Sequence, residues 1–213
     1  MNNSIIKIEN LSKKFKNCDL FDNLHFECSE GEIVGITGIN GSGKSVLFKL
    51  IAGLMQPNSG TIKVYGEDIV GKIPSGLGAL IEEPGFIPNY SGFENLEFLS
   101  TIQNIIGKEE ILATLHRVGL FEDKDKKVRN YSLGMKKKLG IAQAIMEEPR
   151  ILLLDEPTNA LDSQSVQRVY DLLKELSKEK GVTVLLASHN DSDIRHLCDK
   201  VYLLENKQCK LLK

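Results

Sequence analysis

Three short stretches place reactive side chains where a polyphosphate and a water molecule would meet. GINGSGKS, residues 38–45, sets Gly38, Gly43, Lys44 and Ser45 in the pattern G-x-x-x-x-G-K-S, after the apolar run IVGIT and before the helical pattern SVLFKLIAGL. Glycines let successive backbone N–H groups turn inward around an anion, and the helix that follows adds the positive end of its dipole. In that pattern Lys44 reaches the β- and γ-phosphates of a nucleoside triphosphate, and the Ser45 hydroxyl ligates Mg²⁺. ILLLDEP, 151–157, ends an aliphatic run in two carboxylates. Asp155 suits a hard cation, held through its water shell. Glu156, pointing differently, suits a general base that polarises the attacking water. VTVLLASHND, 182–191, repeats the design, with Ser188 and His189 at the polar tip; an imidazole there would hydrogen-bond a γ-phosphate oxygen and register its loss. The competing readings are a Gly-rich turn with an idle lysine, an acidic strand end before Pro157, and a structural histidine. The three stretches occurring together favour the chemical reading.

A fourth stretch raises a question. YSLGM, 131–135, opens onto KKKLGIAQAIMEE, so Ser132 and Gly134 sit at a helix mouth suited to gripping an anion. One small chain thus carries two phosphate-gripping helix starts, far apart in sequence.

The elements that position these residues follow from periodicity. IVGIT (33–37), ILLLD (151–155) and VTVLLA (182–187) are short and apolar on both faces, as central strands of a parallel sheet are when covered on both sides. SVQRVYDLLKELSKEK (165–180) places Val166, Val169, Tyr170, Leu173 and Leu176 on one helical face, stopped by Gly181. Strands alternating with such helices imply βαβ units and an α/β core. Residues 1–30 and 60–80 hold short alternating segments, such as SIIKIEN and GTIKVYG, that suit an antiparallel layer. Residues 93–148 are expected to be mostly helical, and the mixed-charge run EDKDKKVR (122–129) a solvated loop.

Composition sets the outer limits. The chain has 213 residues, 41% hydrophobic and 26% charged, with formal net charge −2. That balance gives no support for general nucleic-acid binding. The four cysteines, at 18, 28, 198 and 209, form no C-x-x-C pair. This argues against zinc and a disulfide scaffold, so reduced thiols are expected, with Cys28 and Cys198 packed as small apolar residues. MNNSIIKIEN lacks the basic and apolar regions of a secretory leader, and no run approaches the ~20 apolar residues that cross a bilayer. The sequence predicts a soluble chain whose membrane role, if any, comes through a partner.

The ordered set GINGSGKS, YSLGM, ILLLDEP, NALD and SHND resembles the ATP-binding subunit of ABC transporters over almost the whole chain. The resemblance implies a P-loop NTPase of α/β class: a RecA-like core with a parallel sheet, an antiparallel β subdomain and an inserted helical subdomain. It implies a single ATPase domain over 1–213, with the β subdomain and core in 1–92 and 149–213 and the helical subdomain at approximately 93–148. It also implies an Mg²⁺-dependent ATPase, with Gly38, Ile39, Asn40, Gly41, Ser42, Gly43, Lys44, Ser45 and Val46 around the phosphates. In such proteins two ATPase subunits, identical or paralogous, pack head to tail, and Ser132 and Gly134 would close on the γ-phosphate held by the neighbour. Asn159 to Asp162 would cross that interface. Phe15 matches the aromatic that stacks on adenine, the alternative being a packed core phenylalanine. Glu82 stands where a Mg²⁺-contacting glutamine is usual, near the contact with the membrane subunit.

Three departures from the usual pattern stand out: Leu133 and Met135 inside the signature, Glu82 for glutamine, and Val46 for a threonine. YSLGM with EEPG is similar to the type serving bacterial transporters for peptide antibiotics such as lantibiotics and bacitracin, in export or immunity. The implied partner is a transmembrane permease that holds the chain peripherally on the cytoplasmic face of the membrane, with no nucleic acid. A soluble ABC protein acting on nucleic acid or ribosomes and a small-molecule P-loop kinase are the alternative functions.

Overall fold

The computed structural model describes residues 4–16 and 18–213. Residues 1–3 and 17, which the sequence places within the antiparallel stretch, lie outside the described residues. Among the described residues ten strands form two sheets. β1 (Ser4–Phe15), β2 (Cys18–Ser29), β4 (Ser59–Val64) and β5 (Glu67–Asp68) make an antiparallel sheet in the order β2-β1-β4-β5. β3 (Ile33–Thr37), β6 (Leu77–Leu80), β7 (Ile151–Asp155), β8 (Thr183–Ala187), β9 (Lys200–Glu205) and β10 (Gln208–Leu211) make the second, ordered β10-β9-β3-β8-β7-β6. All its pairings are parallel except the β9–β10 hairpin.

Period-two alternation divides the side chains of the parallel strands between two cores. Ile33, Leu152, Leu154, Val184 and Leu186 pack into one, and Val34, Ile36, Ile151, Leu153, Leu185 and Ala187 into the other. The first core is closed by α3 (Lys108–Arg117), α4 (Leu133–Ile145) and α5 (Ser163–Lys178), through Leu115, Ile141, Leu173 and Leu176. The second is closed by α1 (Lys44–Ile51) and the antiparallel sheet, through Leu47, Phe48, Ile6 and Ile62. A strand buried on both faces has no polar side to show, which is why ILLLD and TVLLA read as unbroken apolar runs.

Helix ends follow local chemistry. α5 starts at Asp162, whose carboxylate accepts from the Ser165 N–H at 2.9 Å, and buries the expected Val169, Tyr170, Leu173 and Leu176. α2 (Gly92–Gln103) starts in a capping box: Ser91 Oγ accepts from Glu94 N, and Glu94 Oε2 accepts from Ser91 N. α6 (Asp191–Leu197) starts at Asn190.

Two expectations are corrected. The antiparallel reading of 60–80 holds through Asp68, but Leu77–Leu80 leaves that layer and pairs parallel with β7, Leu77 opposite Ile151 and Leu80 opposite Leu154. The short run LGAL carried no alternation by which to separate the two sheets. EDKDKKVR is more than a solvated loop: Lys124 O accepts from Phe93 N, Asp123 O accepts from the Tyr131 hydroxyl, and Val128 is buried. Its charged side chains masked a backbone tied to its neighbours. Cys28 and Cys198 are buried as expected, and burial pushes both thiols up to about 12.

Candidate functional site

The parallel strands β3, β6, β7 and β8 all run out at one edge of the sheet, where ligands of open α/β folds sit. The loop after β3 carries residues 38–43. Gly43, the residue before α1, has φ 103°, and a Cβ there would stand 2.7 Å from the Phe21 ring, so only glycine fits. The loop thereby hands its N–H groups to the start of α1. Lys44 is buried (7% exposed), and its ammonium donates to Gly38 O at 2.8 Å and Ile39 O at 3.2 Å, folded across its own loop. Ser45 Oγ donates to Asp155 Oδ2 at 2.5 Å, joining two residues 110 positions apart.

At the tip of β7, Glu156 has φ 50°, a left-handed backbone that a non-glycine residue adopts under strain. Its N–H still reaches Ala187 O on the neighbouring strand at 2.8 Å. Its Oε1 accepts from the His189 ring Nδ1 at 2.8 Å and from the His189 backbone N–H at 3.2 Å. Because a carboxylate only accepts, Nδ1 carries the proton and Nε2 is left for another partner. Sequence reading placed the base and the histidine separately; the structure makes them a bonded pair.

A cleft of about 740 Å³ unites Phe15, Lys44, Ser45, Val46, Glu82, Asp155 and Glu156. Phe15 is 46% exposed, which removes the core-packing alternative, and the Lys13 ammonium lies 5.2 Å from its ring centre. Glu82, with φ 61°, accepts from Lys49 Nζ at 2.6 Å. The charge added by glutamate at this position therefore faces a cation from α1, a partner the sequence reading missed. No spacing rule links a lysine in the last turn of α1 to a loop 33 residues on.

Lys137 was also missed. It lines the same cleft from α4, and burial holds its ammonium below the usual lysine range, against the opposing pull of Asp155, Glu156 and Glu83. In sequence it is one of three consecutive lysines at 136–138, and the run itself does not say that Lys136 and Lys137 line the cleft and Lys138 does not.

The YSLGM segment is built differently. Ser132 caps α4, its Oγ accepting from Met135 N at 3.2 Å. Leu133 is 55% exposed. A Cβ at Gly134 would stand 2.8 Å from the Ala160 carbonyl oxygen, so this helix start lies directly on the loop that follows Glu156. Leu133 reaches the cleft lining; Ser132 and Gly134 do not.

The donors at the cleft suit Mg²⁺. Ser45 and Asp155 already meet, and both offer hard oxygen. Among the described residues no group of three His, Cys, Asp or Glu side chains forms a cage for a metal. A hydroxyl and a single carboxylate match a cation that keeps waters and takes its remaining oxygens from substrate phosphates.

The ABC transporter family profile matches residues 21–159. The chain is 43% identical to the uncharacterized ABC transporter ATP-binding protein YybJ of Bacillus subtilis, with 92% of this chain and 90% of that protein covered. It is 36% identical to the bacitracin transport ATP-binding protein BcrA of Enterococcus faecalis, covering 92% of this chain and 65% of that protein. The fold matches the dimeric ATP-binding cassette MJ0796 in a post-hydrolysis state bound to ADP and Pi, with a TM-score of 0.89, 25% identity and 98% of each chain covered.

Proposed function

Because this chain belongs to the ABC transporter family, as one of its ATP-binding, ATP-hydrolysing subunits, we propose that it drives a separate transmembrane permease from the cytoplasmic face of the membrane. Among the described residues no helix is long and apolar enough to cross a bilayer, so the membrane contact falls to that partner. The similarity to a bacitracin transport protein supports peptide antibiotics as the cargo, in export or immunity. Residues 1–213 act as one ATPase domain, with 93–148 as a helical subdomain inserted between 1–92 and 149–213.

Lys44 and the amides of residues 38–45 hold the triphosphate. Phe15 offers a ring for the adenine. Ser45 and Asp155 hold Mg²⁺, with Glu82 as a further oxygen whose charge is shared with Lys49. When bound, Mg²⁺ neutralises charge on the β- and γ-phosphates. Glu156 orients the attacking water and takes up its proton. His189, held through Nδ1, keeps Nε2 for the γ-phosphate. Ser132, exposed, and Gly134, half-buried beside it at the mouth of α4, close on the nucleotide held by a second subunit packed head to tail. Each nucleotide is then shared, and hydrolysis removes what holds the pair together.

The observation that carries this reading is the meeting of the Ser45–Asp155 and Glu156–His189 pairs at one edge of the sheet. Glu156→Gln tests it. Phosphate release should fall by at least ~100-fold, ATP binding should persist, and the variant should accumulate as an ATP-bound dimer on size exclusion. Wild-type turnover by this variant would refute the base assignment.

A further inference from the structure

Asp193 sits in the first turn of α6, fully buried, and no step described above uses it. A carboxylate without water is costly unless donors surround it. Here the donors are three hydroxyls drawn from three elements. Thr158 Oγ1 donates to Asp193 Oδ2 at 2.6 Å, Ser188 Oγ donates to the same oxygen at 2.7 Å, and the Tyr170 hydroxyl donates to Oδ1 at 2.6 Å. Among the described residues Asp193 makes no ion pair.

The two oxygens do different things. Oδ2 ties Thr158, two positions past Glu156, to Ser188, the residue before His189. Oδ1 ties the carboxylate to α5, which carries none of the proposed catalytic groups. Ser188 Oγ in turn accepts from Asn190 N at 3.0 Å, fixing the turn on the far side of His189. Glu156 needs such support, because its backbone is left-handed and its strand has ended.

We propose that Asp193 is a positioning residue for hydrolysis: through Oδ2 it clamps the segments carrying Glu156 and His189 together, so that the Glu156–His189 contact is set before the γ-phosphate arrives. Catalytic groups lose rate steeply when displaced by about an ångström, so the clamp governs turnover more than nucleotide affinity. This inference rests on the roles given to Glu156 and His189 above.

The test compares the two oxygens by steady-state phosphate release from the purified chain. Thr158→Val keeps shape and removes one Oδ2 donor; kcat should fall by about tenfold or more, with KM for ATP within about twofold. Thr158→Ser, which restores the hydroxyl, should recover most of kcat. Tyr170→Phe removes the Oδ1 donor; it should lower Tm but leave kcat within about twofold. Wild-type kcat in Thr158→Val, or equal loss of kcat in Tyr170→Phe, overturns the proposal, the latter by showing that stability alone is at stake. Glu156→Gln run in parallel keeps the two readings apart. Lost turnover there with wild-type turnover in Thr158→Val overturns the clamp alone; retained turnover there overturns the base assignment and the clamp with it.

Discussion

The two helix starts that we propose grip phosphate are built to opposite standards. The start of α1 is closed by its own molecule: Lys44 is buried across its loop, Ser45 is bonded to Asp155, and Gly43 lies against Phe21. The start of α4 faces outward, with Leu133 exposed and the Ser132 hydroxyl engaged with its own helix. A site finished internally binds its ligand alone. A site left open is shaped for a surface that another molecule supplies. Under the proposed function, the difference matches nucleotide affinity to the first helix start and assembly to the second.

The strongest way to break this contrast is Lys44→Ala. It should weaken ATP binding in a direct titration by about 100-fold, because a buried cation is lost from the cradle. Should affinity change less than a few-fold, the first grip is not where the triphosphate sits. Gly134→Asp should leave ATP affinity of the monomer within about twofold and yet reduce phosphate release by roughly tenfold or more. Its side chain meets the Ala160 carbonyl and adds negative charge at the outward grip. Equal losses of binding in both variants would erase the distinction. Glu82→Gln should change kcat by no more than about threefold and stability by less than ~1 kcal/mol, since the Glu82 carboxylate is largely exposed and its pairing with Lys49 is solvent-screened. Leu133→Ala is expected to shift unfolding free energy by less than ~0.5 kcal/mol in a denaturant titration, an exposed position with little packing to lose.

The sequence made the first helix start legible because its chemistry demands particular residues there: glycine where φ is positive, and a lysine and serine suited to phosphate and a hard cation. The buried strands were legible for a similar reason, since a strand covered on both faces has no polar alternation. Less visible were contacts made by flexible or isolated side chains. Lys49 on Glu82, Lys137 in the cleft and Asp193 beneath the two catalytic segments each depend on how distant elements dock. Asp193 falls in DSDIRHL, where an acidic residue in a first helical turn reads as an ordinary dipole partner. The placement of Leu77–Leu80 was hidden because four small and aliphatic residues fit either sheet equally well.

The close approach of Gly134 to Ala160 has a mechanical consequence. The helix mouth lies close to the loop leaving Glu156: a Cβ on Gly134 would stand 2.8 Å from the Ala160 carbonyl oxygen and 3.6 Å from the Leu161 side chain. Under the proposed function, a shift at Glu156 on loss of the γ-phosphate would have only a few loop residues to cross before it reached α4. Any bulk added at position 134 would wedge the helix mouth away from that loop.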